Sequence, residues 1–276
     1  SRKRLPFGIA QIGKAFRNEI TPGNFIFRTL EFEQMEIEYF IEEKDWEVLF
    51  DQWAVDMEKF AFDVGIDTAK LHRFEVPDEE RAHYSKRTVD FMFDFPFGNK
   101  ELWGMAYRTD YDLKQHQIYS KQSLEFTDPD DNKRKLIPHV IEPSMGVDRT
   151  LLAMLVSAYH EEEVEGETRV VLKFAPHMAP YQIAVLPLMK KDGLAEKGKE
   201  IFKELLKDFR VEYDEAGSIG KRYRRQDEIG TLFCVTVDYE TFEDNAVTVR
   251  DRDSMIQKRV KIDELIGYVR TIHSKK

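Results

Sequence analysis

Cysteine is almost absent from the 276-residue sequence, which holds only Cys234. A single cysteine excludes an intrachain disulfide. It lies in the apolar run LFCVTVD with no histidine nearby, so it is typical of a small buried strand residue and not of a nucleophile. A reducing, cytoplasmic setting fits this scarcity.

Long hydrophobic runs are also lacking. No stretch approaches the roughly 18 uncharged apolar residues that a membrane-spanning helix needs, so the sequence predicts no membrane partner. The N-terminal residues SRKRLPFGIAQ have no apolar core of the kind that marks a signal peptide. With 42% hydrophobic and 34% charged residues, the composition predicts a soluble globular protein with room for one large domain or two ordinary ones.

Net positive charge is missing, since the formal charge is −10. The excess of acid belongs to residues 1–166, because residues 167–276 carry 21 Lys+Arg against 19 Asp+Glu. This balance excludes bulk binding of a polyanion by charge alone, so any contact with a nucleic acid must be local. The seven histidines are scattered without ligand spacing, which disfavours a metal site at His116, His139 or His177.

The stretch Ala15–Tyr39 carries the most unusual pattern. The turn residues TPGN separate two runs, which predicts an antiparallel hairpin. Side chains alternate along a strand, so Arg17 and Glu19 share a face of the first arm, while Arg28 and Phe32 share a face of the second. These side chains could hold a nucleotide, with guanidinium groups on phosphate and a ring on the base. The alternative is a solvated face with cross-strand ion pairs.

Periodic patterns beyond the hairpin predict further elements of a first domain. Apolar residues at three- and four-residue steps predict a helix from Trp46 to Val64 that Gly65 ends. Strict alternation in TVDFMFDFPF predicts a half-buried strand ended by Pro96. The segment ELWGMAYRTDYDL predicts a strand that runs into a polar turn, and Gly104 within it marks a close approach of ligand or backbone.

A strand-to-helix switch completes this first domain. TDPDDNKRK predicts a surface turn, after which residues 136–142 predict a strand. The following helix holds Asp148 and Arg149 on its first turn, where free backbone amides favour an anion.

The acidic segment 161–169 predicts a linker between a first domain at 1–160 and a second at 170–276. Beyond the linker, strands and helices alternate, which predicts a compact α/β domain with helices on a mixed sheet. The segments in order are strand QIAVLPLM, helix AEKGKEIFKELLKDF, strand RVEYDE, helix SIGKRYRRQDEIG, strands LFCVTVD and AVTVRDRD, and helix IDELIGYVRTIHS.

Three sets of residues resemble motifs of one enzyme family. The order FRNE, turn, FRxxEFxQME resembles motif 2 of the class II aminoacyl-tRNA synthetases, in detail that of the homodimeric glycyl-tRNA synthetases. EPSMGVDR, residues 142–149, resembles motif 3, and FAPHMAPYQIAVLPL with GKRYRRQDEIGT resembles the anticodon-binding domain. The resemblance implies an α+β fold, with an antiparallel-sheet catalytic core followed by an α/β mixed-sheet anticodon-binding domain.

The resemblance also implies a homodimer that activates glycine with ATP and Mg²⁺ and transfers it to glycine tRNA. Attack of the glycine carboxylate on the α-phosphate brings two anions together, so positive charge must be fixed there. The implied catalytic residues are Arg17, on the α-phosphate, and Arg149, which joins Arg28 on the outer phosphates. No nucleophilic side chain is required, because substrate and cofactor supply every reacting atom.

Further roles at the nucleotide are implied by the same match. Glu19 would bind the adenine amino group, with Phe32 on one face of the ring and Arg149 on the other. Glu101 is the implied Mg²⁺ ligand, because magnesium that bridges phosphates usually takes one or two carboxylates. The residues implied to bind ATP are Arg17, Asn18, Glu19, Phe27, Arg28, Phe32, Glu101, Leu102, Gly146, Val147, Asp148 and Arg149.

Selection of glycine requires a pocket that excludes any side chain, because a missing group cannot itself be bound. Glu36, Glu142 and Ser144 match the positions around the ammonium group and Cα, and Arg108 matches the position for the carboxylate. Taken singly, the alternative for either glutamate is a surface carboxylate. The residues implied to bind glycine are Phe32, Glu33, Gln34, Met35, Glu36, Arg108, Glu142, Pro143, Ser144, Met145 and Gly146, with backbone at 33–35 as a wall.

A basic segment in the second domain combines cations for a nucleic-acid backbone with a ring for stacking on unpaired bases. The residues implied at the tRNA anticodon are Lys221, Arg222, Tyr223, Arg224 and Arg225. The alternative is an ordinary solvated helix face. Arg250 and Arg252 are weaker candidates, since they can pair with Asp251 and Asp253.

The sequence departs from the family pattern at three points. Leu30 stands where the family usually has arginine, and Leu232 where it has proline. Motif 1, which forms the dimer, and an upstream acid of the glycine site have no counterpart, so we expect a fragment of a longer enzyme or a truncated relative. Two alternative functions fit the same sequence. One is a non-catalytic module, such as the synthetase-like accessory subunit of mitochondrial DNA polymerase. The other is an inactive fragment that still binds tRNA.

Overall fold

The computed structural model describes residues 3–131, 133–164 and 166–273. The chain divides by its internal contacts into two units, Ser1–Val156 and Ser157–Lys276. No helix in the described part of the chain is both long and apolar enough to span a membrane.

Unit 1 is built on a six-stranded antiparallel sheet with the strand order β1-β2-β8-β5-β4-β3. Its strands are β1 (Phe7–Phe16), β2 (Glu31–Ile41), β3 (Leu71–Glu75), β4 (Arg87–Phe95), β5 (Gly98–Thr109), the short pair β6 (Phe126–Thr127) and β7 (Lys135–Leu136), and β8 (His139–Gly146). Its helices are α1 (Trp46–Asp63), α2 (Tyr111–Ser120) and α3 (Val147–Ala158), the last of which runs across the division, with short 3₁₀ turns at Glu43–Asp45 and Thr68–Lys70.

The sheet of unit 1 has one core face and one polar face. Helix α1 packs on the core face, where Trp46 stacks on Tyr107 with ring centroids 4.4 Å apart and Phe60 lies against Trp103. Side chains alternate along β2, so Gln34 belongs to the opposite face together with its neighbours two residues away. The polar face is therefore the one that can carry a site.

The predicted hairpin exists, but its turn and its faces differ from the prediction. Strands β1 and β2 pair from Phe7↔Phe40 to Phe16↔Glu31, which leaves residues 17–30 as a connecting loop. The predicted faces for Arg17, Glu19 and Arg28 were therefore wrong, because period two applies only within a strand.

The loop closes on its own turn, later than the predicted TPGN. Gly23 and Arg28 form an isolated bridge, and Asn24 and Phe25 between them have positive φ values of 55° and 56°. The amide of Arg17 donates to the carbonyl oxygen of Leu30 at 3.0 Å, which holds the base of the loop.

A helix replaces the polar turn predicted after β5. Helix α2 begins at Tyr111 and has no buried residue, so it lacks the apolar stripe that makes a helix visible in a sequence. The remaining strands and helices predicted for this unit occur, including the strand-to-helix switch from β8 to α3.

Unit 2 holds a five-stranded mixed sheet with the order β12-β11-β13-β14-β15, parallel across the first three strands and antiparallel across the last three. Its strands are β9 (Tyr159–Val164), β10 (Glu167–Leu172), β11 (Ile183–Pro187), β12 (Val211–Tyr213), β13 (Phe233–Val237), β14 (Ala246–Asp251) and β15 (Gln257–Lys261). Its helices are α4 (Leu194–Leu205), α5 (Ile219–Ile229), α6 (Thr241–Asp244) and α7 (Leu265–His273), the last preceded by a 3₁₀ turn at Ile262–Glu264. The mixed sheet with alternating helices was predicted, whereas β15 and α6 were not.

The segment 161–169, predicted as a linker, lies mostly in the antiparallel hairpin β9–β10. Arg169 is fully buried there: its Nε donates to Asp227 at 2.9 Å and its Nη1 to Glu162 at 2.8 Å. The acidic composition of this segment gave no sign of its buried arginine, whose hydrogen bond to Asp227 joins the hairpin to α5.

Cys234 is a core residue, as its apolar flanks predicted. It belongs to a buried cluster with Ala184 and Leu186, against which Ile219 and Tyr223 pack. Burial raises the pKa of its thiol to about 12, so it is not a thiolate at neutral pH.

Candidate functional site

A cleft on unit 1 contains about 650 Å³ of empty volume, part of which is open solvent. Its walls come from the loop 17–30 and from β2, β5, β8 and the start of α3. The lining residues are Arg17, Glu19, Ile26, Phe27, Arg28, Thr29, Phe32, Gln34, Glu101, Leu102, Trp103, Gly104, Ser144, Gly146, Asp148 and Arg149.

Arg149 joins two walls of the cleft. Its Nη1 donates to the carbonyl oxygen of Glu101 at 2.8 Å and lies 3.6 Å from the Glu101 carboxylate, while its Nε donates to the carbonyl oxygen of Phe27 at 3.2 Å. The guanidinium also covers the Phe27 ring. Burial lowers its pKa, although arginine stays protonated at any physiological pH.

Two further arginines reach the cleft from the loop. Arg17 lies with its Cζ 5.6 Å from the ring centroid of Phe32. The Nε of Arg28 is 3.9 Å from the carboxylate of Glu19, and the Arg28 side chain is half exposed. Three guanidinium groups thus line one cleft together with three carboxylates, those of Glu19, Glu101 and Asp148. Guanidinium groups are suited to binding phosphate oxygens through paired hydrogen bonds.

The junction of β8 and α3 is held by hydrogen bonds. The hydroxyl of Thr150 donates to the Gly146 carbonyl oxygen at 2.7 Å and accepts from Trp103 Nε1 at 2.8 Å. The Asp148 carboxylate accepts from the backbone amide of Glu33 at 3.0 Å, which joins the first turn of α3 to β2.

Gly104 opens the floor of the cleft. A Cβ at this position would lie 3.6 Å from Oδ1 of Asp90, the residue paired with it on β4. Burial, with a smaller effect of the Glu101 charge, raises the pKa of Asp90 to about 6. The distance of 3.6 Å is an ordinary van der Waals contact, so the close approach of ligand or backbone at Gly104 stays a prediction.

A second polar group adjoins the cleft through Gln34, whose Nε2 donates to Ser144 Oγ at 2.6 Å. Further along, Arg108 donates to Glu142 at 2.6 Å and to both oxygens of Asp112 at 2.7 and 3.2 Å. Its guanidinium also lies over the Tyr84 ring, 3.9 Å from the centroid.

Burial and the ion pairs act in opposite directions on this group. Burial alone would lower the pKa of Arg108, but its hydrogen bonds to Asp112 and Glu142 outweigh that effect and raise it. For Glu142, burial dominates over the pairing with Arg108 and raises the pKa. Glu36 lies opposite Ser144 in the pairing of β2 with β8 and adds a further negative charge.

Two protein families match this chain. Residues 1–158 match the tRNA synthetase class II core domain of the G, H, P, S and T group, and residues 182–272 match an anticodon binding domain. The chain belongs to the class II tRNA synthetases. The fold is thus a class II core followed by an anticodon-binding domain.

Named relatives of this synthetase core are glycine–tRNA ligases. The ligase of Clostridium acetobutylicum is 55% identical over 98% of this chain, and that of Bacillus cereus is 53% identical over 97%. The ligase of Malacoplasma penetrans is 55% identical over 96%. The chain spans 57–58% of the length of these relatives.

Most of the ATP residues predicted from the synthetase motifs line the cleft. Ten do so, and Asn18 and Val147 are the two that do not. The cleft is also lined by Ile26, Thr29 and Trp103, which the motif match did not single out. Binding of ATP by these residues stays a prediction.

The predicted glycine residues divide between the two faces of the synthetase sheet. Those that line the cleft are Phe32, Gln34, Ser144 and Gly146, while Glu36, Arg108 and Glu142 form the adjoining polar group. Met145 is paired with Met35 on β2 and with Trp103 on β5, and all three lie on the core face. Because side chains alternate along a strand, Glu33 and Pro143 belong to the core face as well. Only the backbone of Glu33, Met35, Pro143 and Met145 could take part in a pocket.

The basic segment of the anticodon-binding domain is partly buried. Arg222 is 2% exposed, and its Nη1 and Nη2 donate to the carbonyl oxygens of Pro187 and Leu188. Because those hydrogen bonds occupy its guanidinium, Arg222 in this conformation is not available to a nucleic acid. Tyr223 is half-buried, and its hydroxyl is hydrogen-bonded to Thr236 at 2.6 Å.

The other basic residues of that domain divide between surface and core. Lys221, Arg224 and Arg225 lie at the surface. Arg225 is 2.5 Å from the carboxylate of Asp214, and Arg224 is 3.6 Å from that of Glu167. Arg250 and Arg252 are buried. Arg252 pairs with Asp253 as predicted, whereas Arg250 pairs with Asp227.

Proposed function

We propose that this chain carries the adenylate-forming site of a glycine–tRNA ligase. In that reaction ATP activates glycine to glycyl-adenylate, and the glycyl group passes to glycine tRNA. The observation that carries the proposal is the meeting of Arg17, Arg28 and Arg149 in one cleft beside the Phe32 ring. The 53–55% identity to glycine–tRNA ligases selects this reaction among those of the class II core.

The chemical step needs little beyond position and charge. An oxygen of the glycine carboxylate attacks the α-phosphorus of ATP, the bond to the bridging oxygen breaks, and pyrophosphate leaves with its electrons. Arg17 would stabilise the negative charge that grows on the α-phosphate, and Arg28 and Arg149 would neutralise the leaving pyrophosphate. The ion pair between Arg28 and Glu19 is long, at 3.9 Å, so Arg28 can leave Glu19 and bind a phosphate oxygen instead.

Adenine would lie against Phe32, with Glu19 accepting from its amino group. Arg149 is assigned to the other face of the ring. Because Arg149 is already held by the backbone carbonyls of Phe27 and Glu101, its position would be set before ATP arrives.

Mg²⁺ would be held through Glu101, which lines the cleft with a half-exposed side chain. The described residues contain no group of three or more side chains suited to a metal. A single carboxylate is enough for magnesium, which usually takes one or two and completes its shell with water and phosphate oxygens. When bound, the ion supplies positive charge between the phosphates.

Glycine would bind beside Ser144 with its ammonium group toward Glu36 and Glu142. Arg108 is assigned to the carboxylate, but its donors are already shared between Glu142 and Asp112. It would therefore both position Glu142 and lend a donor to the substrate. Backbone at 33–35 and the Gln34–Ser144 hydrogen bond would leave no room for a side chain at Cα.

The partners of the whole enzyme are part of the same proposal. Lys221, Arg224 and Arg225 are the basic residues of α5 that remain for the anticodon of glycine tRNA, with Tyr223 as a partly covered ring. A homodimer in the cytoplasm is proposed from the family alone. The similarity to ligases favours this function over a non-catalytic accessory module.

The test is glycine-dependent exchange of labelled pyrophosphate into ATP, run on this chain. We expect exchange with glycine, and a loss of about 10²- to 10³-fold on Arg17→Ala, the size typical of removing one group that stabilises transition-state charge. Lys14→Ala, on the neighbouring strand β1 and outside the cleft, is the matched control and should retain exchange. Exchange with another amino acid but not with glycine would refute the assignment.

A further inference from the structure

Glu38 lies on the polar face of β2, two residues beyond Glu36, and no motif assigns it a role. Its side chain is half-buried. Its carboxylate makes no hydrogen bond or ion pair with any residue in the ranges 3–131, 133–164 and 166–273. A half-buried carboxylate without a donor is costly in its ionised form.

Strand pairing puts a second carboxylate directly across from it. Because Glu36 pairs with Ser144 and Tyr39 pairs with Ile141, the same register sets Glu38 opposite Glu142. Side chains at directly opposed positions have Cβ atoms about 5 Å apart, and like charges there are unfavourable.

The charged groups that face Glu38 are mostly of its own sign. They are Glu36 on the same strand, Glu142 on β8, Asp112 on α2 and Arg108 on β5, while the residue across from it on β1 is the apolar Ile9. Arg108 is therefore the single positive charge among four carboxylates, counting Glu38 itself. The electrostatic balance is restored either by a proton or by a cation from outside.

Between the two opposed carboxylates, Glu38 is the one to hold the proton. Arg108 donates to Glu142 at 2.6 Å and so favours its ionised form, whereas no described group donates to Glu38. Burial, reinforced by the charge of Glu142, raises the pKa of Glu38 to about 7. A protonated fraction is thus present at neutral pH.

We propose that Glu38 is a positioning residue of the amine pocket, neutral while the pocket is empty and ionised when the ammonium group of an amino-acid substrate binds at Glu36 and Glu142. The O–H bond of the Glu38 carboxyl breaks, the proton passes to solvent, and the carboxylate then adds its charge behind Glu142. This inference rests on the proposed function, because it takes an amino acid as the ligand. It couples substrate binding to pH.

The experiment is isothermal titration calorimetry of glycine into the full chain at pH 7, in phosphate and in Tris. These buffers differ in ionisation enthalpy, so the difference in binding enthalpy counts the protons released. We expect release of about half a proton at pH 7, and a glycine affinity that rises about three- to tenfold from pH 6 to pH 8 as one more carboxylate becomes charged. Glu38→Gln should release no proton and bind with an affinity independent of pH over that range.

Glu31→Gln is the matched control, because Glu31 lies on the same strand but on its other face and pairs with Lys14. It should keep the proton release of the parent protein. Proton release that persists in Glu38→Gln, or is absent from the parent, overturns the inference, as does a parent that does not bind glycine.

Calorimetric binding requires no ATP and no tRNA, so the two proposals fail separately. A parent that binds glycine with proton release but shows no pyrophosphate exchange would refute the ligase reaction and leave the role of Glu38 intact. Pyrophosphate exchange without proton release would refute the role of Glu38 and leave the ligase reaction intact.

Discussion

The guanidinium of Arg149 lies over the ring of Phe27, with Cζ 4.3 Å from the ring centroid, although the two residues are 122 positions apart. Phe27 is 7% exposed and makes edge contacts with Phe95 and Phe97 at the end of β4. The loop that carries Arg17 is thus anchored by one buried ring to the helix that carries Arg149.

Phe27→Ala should disturb both the stability of unit 1 and its cleft. Removal of a buried ring costs about 3–5 kcal/mol of unfolding free energy. Because Arg149 loses its platform, we also expect a rise of about tenfold in KM for ATP in pyrophosphate exchange, with a smaller change in KM for glycine. Trp46, Trp53 and Trp103 all lie in unit 1, so urea unfolding followed by tryptophan fluorescence reports on this unit alone.

Phe25→Ala supplies the control for Phe27→Ala, since Phe25 belongs to the same loop but is 77% exposed. It should leave stability within about 0.5 kcal/mol of the parent protein. If both variants raise KM for ATP equally, the Phe27–Arg149 contact is not what orders the loop.

The same loop marks the limit of what sequence could predict. The pairing of β1 with β2 follows from alternation, and the synthetase motifs alone assign Arg17 and Arg149 to one site. The end of β1 at Phe16 was not predicted, and the following loop packs through Phe27 on Phe95 and Phe97, which are distant in the sequence. Asp112, which binds Arg108, was missed since α2 has no apolar stripe, and Arg169 was missed inside an acidic run.

Thr150→Val should weaken the junction between β8 and α3. Valine keeps the shape but leaves the buried indole N–H of Trp103, now hydrogen-bonded at 2.8 Å, without an acceptor. An unsatisfied buried donor costs about 1–3 kcal/mol. Thr150→Ser keeps the hydroxyl and should lose less than about 1 kcal/mol. Tryptophan-detected urea unfolding compares the two, and equal losses would mean that the methyl group, not the hydrogen bond, matters.

Asp227→Asn should destabilise unit 2 in a pH-dependent way. Asp227 is 1% exposed and accepts from Arg169 and Arg250, so the neutral variant removes the carboxylate partner of the buried Arg250 and leaves the buried Arg169 with Glu162. Breaking such a buried pair costs about 3–5 kcal/mol. Hydrogen exchange at the amides of β13 measures it, because unit 2 has no tryptophan.

The pH dependence at Asp227 has a definite sign. Burial alone would raise its pKa, but hydrogen bonds from Arg169 and Arg250 outweigh burial and lower it. A lowered pKa contributes stability above the unfolded-state value of about 3.9 and loses it as pH falls through the folded value. The advantage of the parent protein over Asp227→Asn should therefore shrink below about pH 4. Glu228→Gln, exposed on the same helix, should show no such difference at any pH.

Glu38→Gln should stabilise unit 1 at alkaline pH. The pKa of Glu38 is raised by burial from 4.5 to about 7, so its contribution to stability is complete below pH 4.5 and is lost as pH rises through 7. Glutamine does not ionise and escapes that loss. The variant should thus unfold at a higher urea concentration than the parent at pH 8, with the difference narrowing toward pH 5 by tryptophan fluorescence. Glu31→Gln should show no gain at pH 8, and a Glu38→Gln variant less stable than the parent at pH 8 would mean that the ionised carboxylate is satisfied in the folded protein.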